Sequence, residues 1–317
     1  MRIAFAGVAH SHPLADAANL RARGARVAGV WDADDPDRRT EFAGRFGAPV
    51  RDRLADLLAG EPDAVVATPR TLRAVEVALA CAEAGVPVFF NKTVAADAAG
   101  LTAWEALPDA ERSTWSVLRF APALIAFSDA LAGTPLRALE VHAQHDIAGF
   151  LAGDRRWQDD PAGAGGTMVN VGVHAWEMVD VLLPEARAEI LSAVCTRGAV
   201  DTASEVLGGV HARVGETLLA VTISGVTGPD RYAVRVWTDD GTHEILLPED
   251  PDGQGYGGTA DAILRLAQGD ASPVASERTV AVYRNAIAAA DAARRTLWGR
   301  DHRAGRARTR SRLSRRK

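Results

Sequence analysis

Short apolar runs alternate with amphipathic segments through the first 120 residues, and this alternation constrains the fold more than any other feature of the chain. The apolar runs predict strands, which are residues 2–6, 27–31, 64–67 and 87–90. The segments between them predict helices, which are residues 13–23, 36–46 and 71–84. Because strands joined through helices pair in parallel, the pattern predicts an α/β domain whose parallel sheet is covered on both faces.

Four short segments, most of them containing polar residues, directly follow the predicted strands. They are Gly7-Val8-Ala9-His10-Ser11-His12, Asp32, Thr68-Pro69 and Asn91-Lys92-Thr93. Because ligands of such sheets bind beyond the carboxyl ends of the strands, these residues are candidates for a ligand site. Asp32 follows the glycine turn by about 20 residues, where a carboxylate can accept hydrogen bonds from a ribose. The alternative is an ordinary loop acid, because Asp34, Asp35 and Asp37 follow it.

The chain contains only two lysines, Lys92 and Lys317, among its 36 Lys and Arg residues. A lysine ammonium can lose its proton near neutral pH when its surroundings lower its pKa, whereas a guanidinium effectively cannot. Lys92 also follows a predicted strand, at the edge of the sheet where a ligand would bind. We therefore predict a role for Lys92 in proton chemistry or compact ligand binding. The alternative is a lysine retained by chance.

The pattern changes after residue 120. Strand-like runs follow at residues 136–143, 189–195, 205–214, 217–224, 232–238 and 242–247. Turns such as Asp239-Asp240-Gly241 join consecutive runs, which predicts an α+β domain with a mostly antiparallel sheet. Its helices are predicted at residues 167–183, 258–267 and 276–298. We therefore predict two domains, residues 1–120 and 121–299, followed by a tail at residues 300–317.

The net charge of −5 is unevenly distributed. Residues 300–317 carry nine basic residues and one acid, so residues 1–299 have a formal charge of −13. A body this acidic repels nucleic acid. The tail is predicted to be a disordered, solvated end, with polyanion binding as the alternative.

Compartment signals are sparse. The first residues are apolar over too short a length for a signal peptide, and no apolar run approaches the roughly 20 residues of a membrane span. Cys81 and Cys195 have neither metal nor redox spacing, which predicts two buried free thiols in a reducing compartment. We expect a cytoplasmic protein that does not bind a membrane.

The predicted helix at residues 167–183 carries another candidate pair. Asn170 and His174 are four residues apart and share one helix face, with Gly172 between them. A histidine beside a carboxamide can bind a substrate hydroxyl and exchange its proton. The alternative is that His174 is a satisfied core residue.

The two histidines of His10-Ser11-His12 allow a different interpretation, a metal-dependent hydrolase with zinc at the strand ends. A catalytic zinc site needs three protein ligands. The remaining histidines do not follow successive predicted parallel strands, so we favour a histidine-lined cofactor loop and predict no metal.

In their order and spacing, these elements resemble the glucose-fructose oxidoreductase, inositol dehydrogenase and MocA (Gfo/Idh/MocA) family over residues 1–299. The matching segments are the turn at Gly7, Asp32 before a proline-begun helix, Ala67-Thr68-Pro69, Ala84-Gly85-Val86-Pro87-Val88, Asn91-Lys92-Thr93, Arg119-Phe120-Ala121-Pro122-Ala123, Gly165-Gly166, Asn170-Val171-Gly172-Val173-His174 and Ala281-Val282-Tyr283-Arg284-Asn285-Ala286. The resemblance implies a Rossmann dinucleotide-binding domain followed by an α+β domain for substrate and oligomer contacts. It also implies hydride transfer between a nicotinamide cofactor and a secondary alcohol of a sugar, polyol or related molecule.

The resemblance further implies roles for individual residues. Lys92 would touch the nicotinamide ribose and the substrate, His174 would exchange the hydroxyl proton, and Asn170 would bind a substrate hydroxyl. The implied cofactor-binding residues are Gly7, Ala9, His10, Ser11, His12, Asp32, Thr68, Pro69, Asn91, Lys92 and Arg119.

The implied cofactor is NAD, because the carboxylate of Asp32 disfavours the 2'-phosphate of NADP. Nearby Arg38 and Arg39 leave NADP open. The implied partners are a small sugar-like or polyol-like substrate and further copies of the chain, as a dimer or tetramer.

Several positions depart from the family pattern. They are Ala9 and His12 in place of turn glycines, Asn91 and Thr93 in place of Glu and Pro, and Asn170 in place of Asp. Because two carboxylates near Lys92 and His174 are lost, we expect both groups to have lowered pKa values. The same departures motivate an alternative function, a noncatalytic binding or regulatory protein.

The segment at residues 147–161 is expected to set substrate specificity. It contains Arg155, Arg156 and Trp157, which could contact a polar or acidic ligand. The alternative is a role in surface charge and packing.

Overall fold

The computed structural model describes residues 1–184, 186–226 and 228–314, with side chains up to Leu297. Strands in this part of the chain form two sheets. The first sheet contains β1 (Arg2–Ala6), β2 (Arg26–Trp31), β3 (Ala64–Ala67), β4 (Val88–Asn91) and β5 (Thr114–Trp115). The second contains β6 (Ala138–Asp146), β7 (Glu189–Thr196), β8 (Leu207–Val214), β9 (Thr217–Val226), β10 (Arg231–Thr238) and β11 (Gly241–Leu246).

Helices cover these sheets. The α-helices are α1 (His12–Ala22), α2 (Pro36–Phe46), α3 (Leu54–Leu58), α4 (Ala74–Ala84), α5 (Ala98–Glu105), α6 (Pro122–Ala130), α7 (Ala148–Ala152), α8 (Gly166–Asn170), α9 (Gly172–Leu182), α10 (Tyr256–Ala267) and α11 (Ser276–Ser314). Short 3-10 helices lie at Thr71–Arg73, Asp109–Glu111, Val117–Phe120 and Arg156–Asp159.

The first sheet is parallel throughout, in the order β2-β1-β3-β4-β5. Strand β3, Ala64–Ala67, is apolar and buried along its whole length, as expected for a strand covered on both faces. The winding of the chain reverses between β1 and β3, and ligands bind beyond the strand ends at such a point. The predicted α/β class with a Rossmann-like domain is confirmed.

The second sheet has the order β11-β10-β6-β9-β8-β7. Its neighbouring strands are antiparallel except for β6 and β9, which pair in parallel from Ala138 with Leu218 to Asp146 with Val226. The predicted mostly antiparallel sheet is therefore confirmed. Alternate residues of β6 point inward and are buried, and helices α8, α9 and α11 contact this sheet.

The hydrophobic core of the first sheet is completed by a helix from late in the chain. Helix α10 contacts α1 and β3, and its Ile263 is buried in the same cluster as Phe5 and Phe42. The chain therefore returns to the first sheet after forming the second. The predicted domain boundary at residue 120 remains a prediction.

Three elements differ from the sequence expectation. The helix predicted at residues 167–183 is divided at Val171 into α8 and α9, where the amide of His174 bonds to the carbonyl of Val171 at 3.0 Å in a tighter turn. Strand β5 is two residues long, too short to show a periodic pattern. The backbone of α11 continues to Ser314, whereas a disordered tail was predicted from residue 300. Its Ala and Arg residues are strong helix formers; residues 315–317 lie outside the described part.

Both cysteines are free, with Cys81 buried and Cys195 half-buried. No helix in residues 1–184, 186–226 and 228–314 is both long and apolar enough to cross a membrane.

Candidate active site

The turn after β1 is fastened to the end of β3. Gly7 has a φ of +91°, and a Cβ on it would lie 2.4 Å from the Cα of Pro69, so this position requires glycine. The hydroxyl of Thr68 donates to the carbonyl of Gly7 at 2.7 Å, and the amide of Ala9 donates to the carbonyl of Thr68 at 3.1 Å. Gly7, Ala9, Thr68 and Pro69 therefore meet at the switch point, as predicted for a ligand site.

Asp32 joins the turn after β1 to the loop after β2. Its carboxylate accepts hydrogen bonds from the amides of Val8 at 2.7 Å, Asp34 at 2.8 Å and Asp35 at 2.9 Å. Burial raises the pKa of Asp32, although these amide bonds oppose the shift. A carboxylate has about four acceptor positions, so one remains for a ribose hydroxyl.

Helix α1 begins at His12, with Ser11 in the preceding capping position. The side chain of Ser11 makes no cap hydrogen bond. The hydroxyl of Tyr256 lies 2.8 Å from Nδ1 of His12. His10 is 2% exposed, and its Nε2 has no hydrogen-bond partner within the described residues. Burial strongly lowers the pKa of both histidines.

Lys92 lies directly after β4 and is 1% exposed. Its Nζ donates one hydrogen bond, to the carbonyl of Asn170 at 3.1 Å, and the peptide bond between Lys92 and Thr93 is cis. Burial and then the charge of Arg155 lower the pKa of Lys92 to about 7. An amine with this pKa can change its protonation state near neutral pH.

Asn91 bonds through its side-chain amide to Asp16. Its Nδ2 donates to the carboxylate of Asp16 at 3.0 Å, and its Oδ1 is buried without a hydrogen-bond partner within the described residues. Burial raises the pKa of Asp16 to about 7. Asn91 and Asp16 thus form a polar pair beneath the strand end.

Both ends of the Asn170 carboxamide are occupied. Its Nδ2 donates to the carbonyls of Ala164 at 2.7 Å and Gly166 at 3.2 Å. Its Oδ1 accepts from the hydroxyl of Thr93 at 3.0 Å and the amide of Gln158 at 3.2 Å. The predicted contact between Asn170 and a substrate hydroxyl therefore finds no support in this geometry. Asn170 instead holds the segment that positions Lys92.

His174 lies at the start of α9 and is 1% exposed. Its Nδ1 lies 2.5 Å from the hydroxyl oxygen of Ser116, while its Nε2 is buried and has no hydrogen-bond partner in the described part of the chain. Burial, followed by the charge of Lys92, strongly lowers the pKa of His174. The imidazole is therefore neutral at pH 7, with one ring nitrogen held and the other available.

Further aromatic and acidic groups surround His174. The ring centroids of His12 and His145 each lie 6.2 Å from that of His174, and the ring of Tyr232 lies 5.4 Å from it. Nδ1 of His145 lies 2.7 Å from the carboxylate of Asp230. Histidines from the first and the second domain thus converge on one buried polar cluster.

Residues 147–160, here called the covering segment, lie against the turn after β1. Asp154 forms an ion pair with Arg38, and the ring of Trp157 meets the ring of His10 edge-on at 5.2 Å. The amide of Gln158 lies 3.4 Å from Nδ1 of His10. The second domain therefore covers the end of β1 with polar and aromatic side chains.

Arg119 is bonded to helix α9. Its guanidinium donates to the carboxylates of Glu177 at 2.6 Å and Asp180 at 2.7 Å, and Arg278 also contacts Asp180. Arg119 is 6% exposed. These bonds hold α9 in place, so the prediction that Arg119 binds the cofactor finds no support in this geometry.

The structure thus brings together most of the predicted site residues and adds others. The sequence did not indicate Ser116, Tyr256 or Asp230, because each reaches the site from a distant segment. It indicated the segment that contains Gln158, although not that residue. His145 does carry a signal, since it continues the inward alternation of β6. In residues 1–184, 186–226 and 228–314, no cluster of three or more His, Cys, Asp or Glu side chains could hold a metal ion.

The cluster fits a nicotinamide dinucleotide. Helix α1 begins at the switch point, and the first amides of a helix attract phosphate. Asp32 directly follows β2, in the position of a ribose-binding acid. The Nε2 atoms of His10 and His174 are buried donors or acceptors without protein partners among the described residues, and such atoms indicate that another molecule completes the site.

Fold and site together define an α/β protein with a dinucleotide-binding domain and a second domain that closes over it. Residues 1–117 match the family model GFO_IDH_MocA, described as an oxidoreductase family with an NAD-binding Rossmann fold. Over these residues the chain is similar to the Gfo/Idh/MocA oxidoreductase family, in agreement with the resemblance seen in its sequence. The cofactor that this fold binds is NAD. No curated protein matches the chain in sequence.

Solved structures share the fold over nearly the whole chain. GenD2 from gentamicin A biosynthesis, in complex with NAD, is 20% identical with a TM-score of 0.79, covering 92% of this chain and 94% of that one. A myo-inositol dehydrogenase from Corynebacterium glutamicum is 16% identical with a TM-score of 0.75, covering 93% and 96%. The UDP-N-acetylglucosamine 3-dehydrogenase GnnA from Acidithiobacillus ferrooxidans is 17% identical with a TM-score of 0.72, covering 92% and 97%. The shared fold therefore includes the second domain.

Proposed function

We propose that the chain is an NAD-dependent dehydrogenase that interconverts a secondary alcohol and a ketone on a sugar, polyol or related small molecule. The observation that carries this proposal is the joint burial of Lys92 and His174 at the carboxyl edge of the first sheet. Lys92 donates one hydrogen bond, to the carbonyl of Asn170, and Nε2 of His174 has no hydrogen-bond partner among the described residues. The inositol and sugar dehydrogenases among the structural neighbours support the substrate class.

The turn after β1, the start of α1, Asp32 and Thr68 would hold the dinucleotide. Bound NAD supplies the hydride acceptor. With the proton on Nδ1, His174 donates to the hydroxyl of Ser116, and its Nε2 can accept the proton of the substrate alcohol. Lys92 donates a hydrogen bond to the same oxygen and stabilises the negative charge that develops on it.

We propose NAD rather than NADP because the nearby arginines already contact protein groups. Arg38 donates to the carbonyls of Val8, at 2.9 Å, and His10. Arg39 donates to the carbonyl of Asp32 at 3.5 Å. A 2'-phosphate would meet the Asp32 carboxylate, while the guanidiniums of Arg38 and Arg39 already donate to backbone carbonyls.

The proposal is tested by binding and turnover. Titration with NADH is followed through tryptophan fluorescence, because Trp31 ends β2 beside Asp32. Turnover is then screened with NAD over inositols, sugars and amino-sugar derivatives. We expect His174→Ala and Lys92→Ala to lower kcat by at least about 100-fold, as for a general base and an oxyanion donor.

The matched control is His211→Ala, which removes an exposed histidine of β8. It should leave kcat unchanged. The absence of binding to either nicotinamide cofactor at millimolar concentration would refute the cofactor claim. Turnover that survives both site substitutions would refute the assignment of residues.

The alternative function is that of a noncatalytic binding protein. The same experiment distinguishes it from a dehydrogenase, because it would bind NADH without turnover. The altered positions Ala9 and Asn170 motivated that alternative. The known proteins similar to the chain are oxidoreductases and dehydrogenases, and they give it no support.

A further inference from the structure

The backbone amides that follow β1 are used by the protein itself. The amides of Gly7, Val8 and Ala9 donate to acceptors at the ends of β2 and β3, at 2.6, 2.7 and 3.1 Å. In dinucleotide-binding turns, glycines let the backbone approach the pyrophosphate closely. Here the second turn glycine is replaced by Ala9, and these three amides are already bonded. These three amides are therefore not available to the pyrophosphate, and a further donor would add to the amides at the start of α1.

Arg155 of the covering segment places a guanidinium at this turn. Its Nη1 lies 3.4 Å from the hydroxyl of Ser11, the residue before α1. The guanidinium lies 5.3 Å from the ring centroid of Phe150 and packs against Gly149, where an added Cβ would come within 2.8 Å of it. Among the described residues, Arg155 hydrogen-bonds to Ser11, and the carboxylates of Asp154, Asp146 and Asp230 act on it through their charge without a direct ion-pair contact. The Arg155 guanidinium is thus fixed in position by its neighbours and is not in direct contact with a carboxylate of the described residues.

The neighbours of Arg155 fix the covering segment in this place. Asp154 is paired with Arg38, and Trp157 packs against His10. His10 is 2% exposed, and its Nε2 has no hydrogen-bond partner among the described residues. The turn therefore carries an unsatisfied ring nitrogen in addition to the Arg155 guanidinium. Buried polar atoms are normally hydrogen-bonded, which indicates a ligand rich in acceptor oxygens beside the start of α1.

We infer that Arg155 binds the pyrophosphate of the dinucleotide, so that the second domain supplies the positive charge missing from the turn. This inference rests on the proposed function, since it presupposes a nicotinamide dinucleotide. Arginine suits the role because its planar guanidinium binds phosphate oxygens through two parallel hydrogen bonds. Cofactor binding and the position of the covering segment are thereby linked.

An acidic substituent of the substrate is the other anion that could reach Arg155, and the choice of ligands separates the two. NADH and ADP-ribose both contain the pyrophosphate, whereas AMP lacks it. Isothermal titration of the wild-type chain, Arg155→Ala and Arg155→Gln with these three ligands measures the contact without turnover. Circular dichroism checks that each variant is folded.

We expect both variants to weaken binding of NADH and ADP-ribose by the same factor, about 10- to 100-fold, and to leave AMP binding unchanged. The salt dependence of NADH binding should also decrease. The control is Arg187→Ala, which removes an exposed arginine that precedes β7 and should change none of these affinities.

Equal NADH and ADP-ribose affinities in the wild type and in both variants would overturn the inference. An unchanged NADH affinity with a raised KM for acidic substrates would also overturn it and assign Arg155 to the substrate. If the wild-type chain binds no NADH, the proposed function itself fails, and this result is distinct from the other two.

Discussion

At the scale of single residues, burial sets the protonation of the reactive groups. Burial is the largest cause of the lowered pKa of Lys92, and the charge of Arg155 comes second. Burial is also the largest cause for His174, followed by the charge of Lys92. The sequence predicted both directions from the loss of family carboxylates. The directions agree, but removal from water is the dominant cause, and composition cannot show which lysine is buried.

Replacing Lys92 with arginine tests whether its proton matters. A guanidinium stays protonated throughout the working pH range and is larger than an ammonium. We expect Lys92→Arg to lower kcat by at least about 100-fold and to remove any inflection near pH 7 from the profile of kcat against pH. Steady-state rates between pH 5.5 and 9 measure both effects. A profile that keeps its inflection would contradict the assignment of that proton to Lys92.

Asp16 makes a prediction about stability. Its pKa is raised from 3.8 to about 7 by burial, so between these values the folded state binds more protons than the unfolded state. The free energy of unfolding therefore falls as pH rises through this window. Asp16→Asn removes the charge and still offers Asn91 an acceptor oxygen. We expect it to raise the free energy of unfolding at pH 8 by about 1–3 kcal/mol.

Urea unfolding at pH 5 and pH 8 measures this change. The gain should be smaller at pH 5 than at pH 8, because only part of the window between the two pKa values has been crossed. The matched control is Asp129→Asn, an exposed aspartate of α6 that should give no such gain. Equal free energies of unfolding for Asp16→Asn and wild type at pH 8 would contradict the prediction, because burial of the ionised Asp16 carboxylate would then not destabilise the fold.

At the scale of elements, helix α9 is held by a buried ion network. Arg119 contacts Glu177 and Asp180, which are 1% and 2% exposed. Removing one partner of a buried pair leaves an uncompensated charge, so we expect Arg119→Ala to lower the free energy of unfolding by about 3–5 kcal/mol. NADH affinity of the folded protein should change less than about threefold, because no cofactor contact is lost.

Denaturant unfolding and NADH titration of the same variant distinguish the two roles of Arg119. Arg137→Ala is the control, because it removes an exposed pair with Asp239 and should cost at most about 1 kcal/mol. Weak NADH binding together with unchanged stability would restore the cofactor role that the sequence implied.

Elements were predictable where a local pattern is strong. The buried strand β3 and the capped helix α2, with Pro36 at its start and Gly47 after its end, follow from their own residues. The two-residue β5 offers no periodicity. The return of α10 to the first core depends on contacts such as that of Ile263 with distant residues, which no local pattern encodes.

At the scale of the whole molecule, the site is assembled between two domains. The sequence predicted the half contributed by strand ends, including Gly7, Asp32 and Lys92, because topology alone gathers those positions. The other half comes from long-range contacts. Tyr256 reaches His12 from 244 residues away, and Gln158 reaches His10 from 148 residues away. Such pairings require the fold to be known.

The expected homo-oligomer remains a prediction, and the outer face of the second sheet is where it would form. Several large apolar side chains are exposed there, namely Leu191, Val194, Leu207, Leu218 and Leu246. Exposed apolar patches of this kind mark interaction surfaces. We expect a dimer or tetramer by light scattering and dissociation on Leu218→Glu. Leu79→Glu, at an exposed position of α4, is the control. A monomeric wild type would contradict the prediction.

The central claim is that Lys92 and His174 serve one reaction centre, and a crystal structure of the chain with bound NAD tests it most directly. We predict that the nicotinamide ring lies at the carboxyl edge of the first sheet. Lys92 Nζ and His174 Nε2 should both point to the space beside its reactive carbon, at distances that allow a substrate oxygen to bond to both, about 3 Å from each. A nicotinamide ring bound elsewhere, or a Lys92 and a His174 that face separate cavities, would contradict the account.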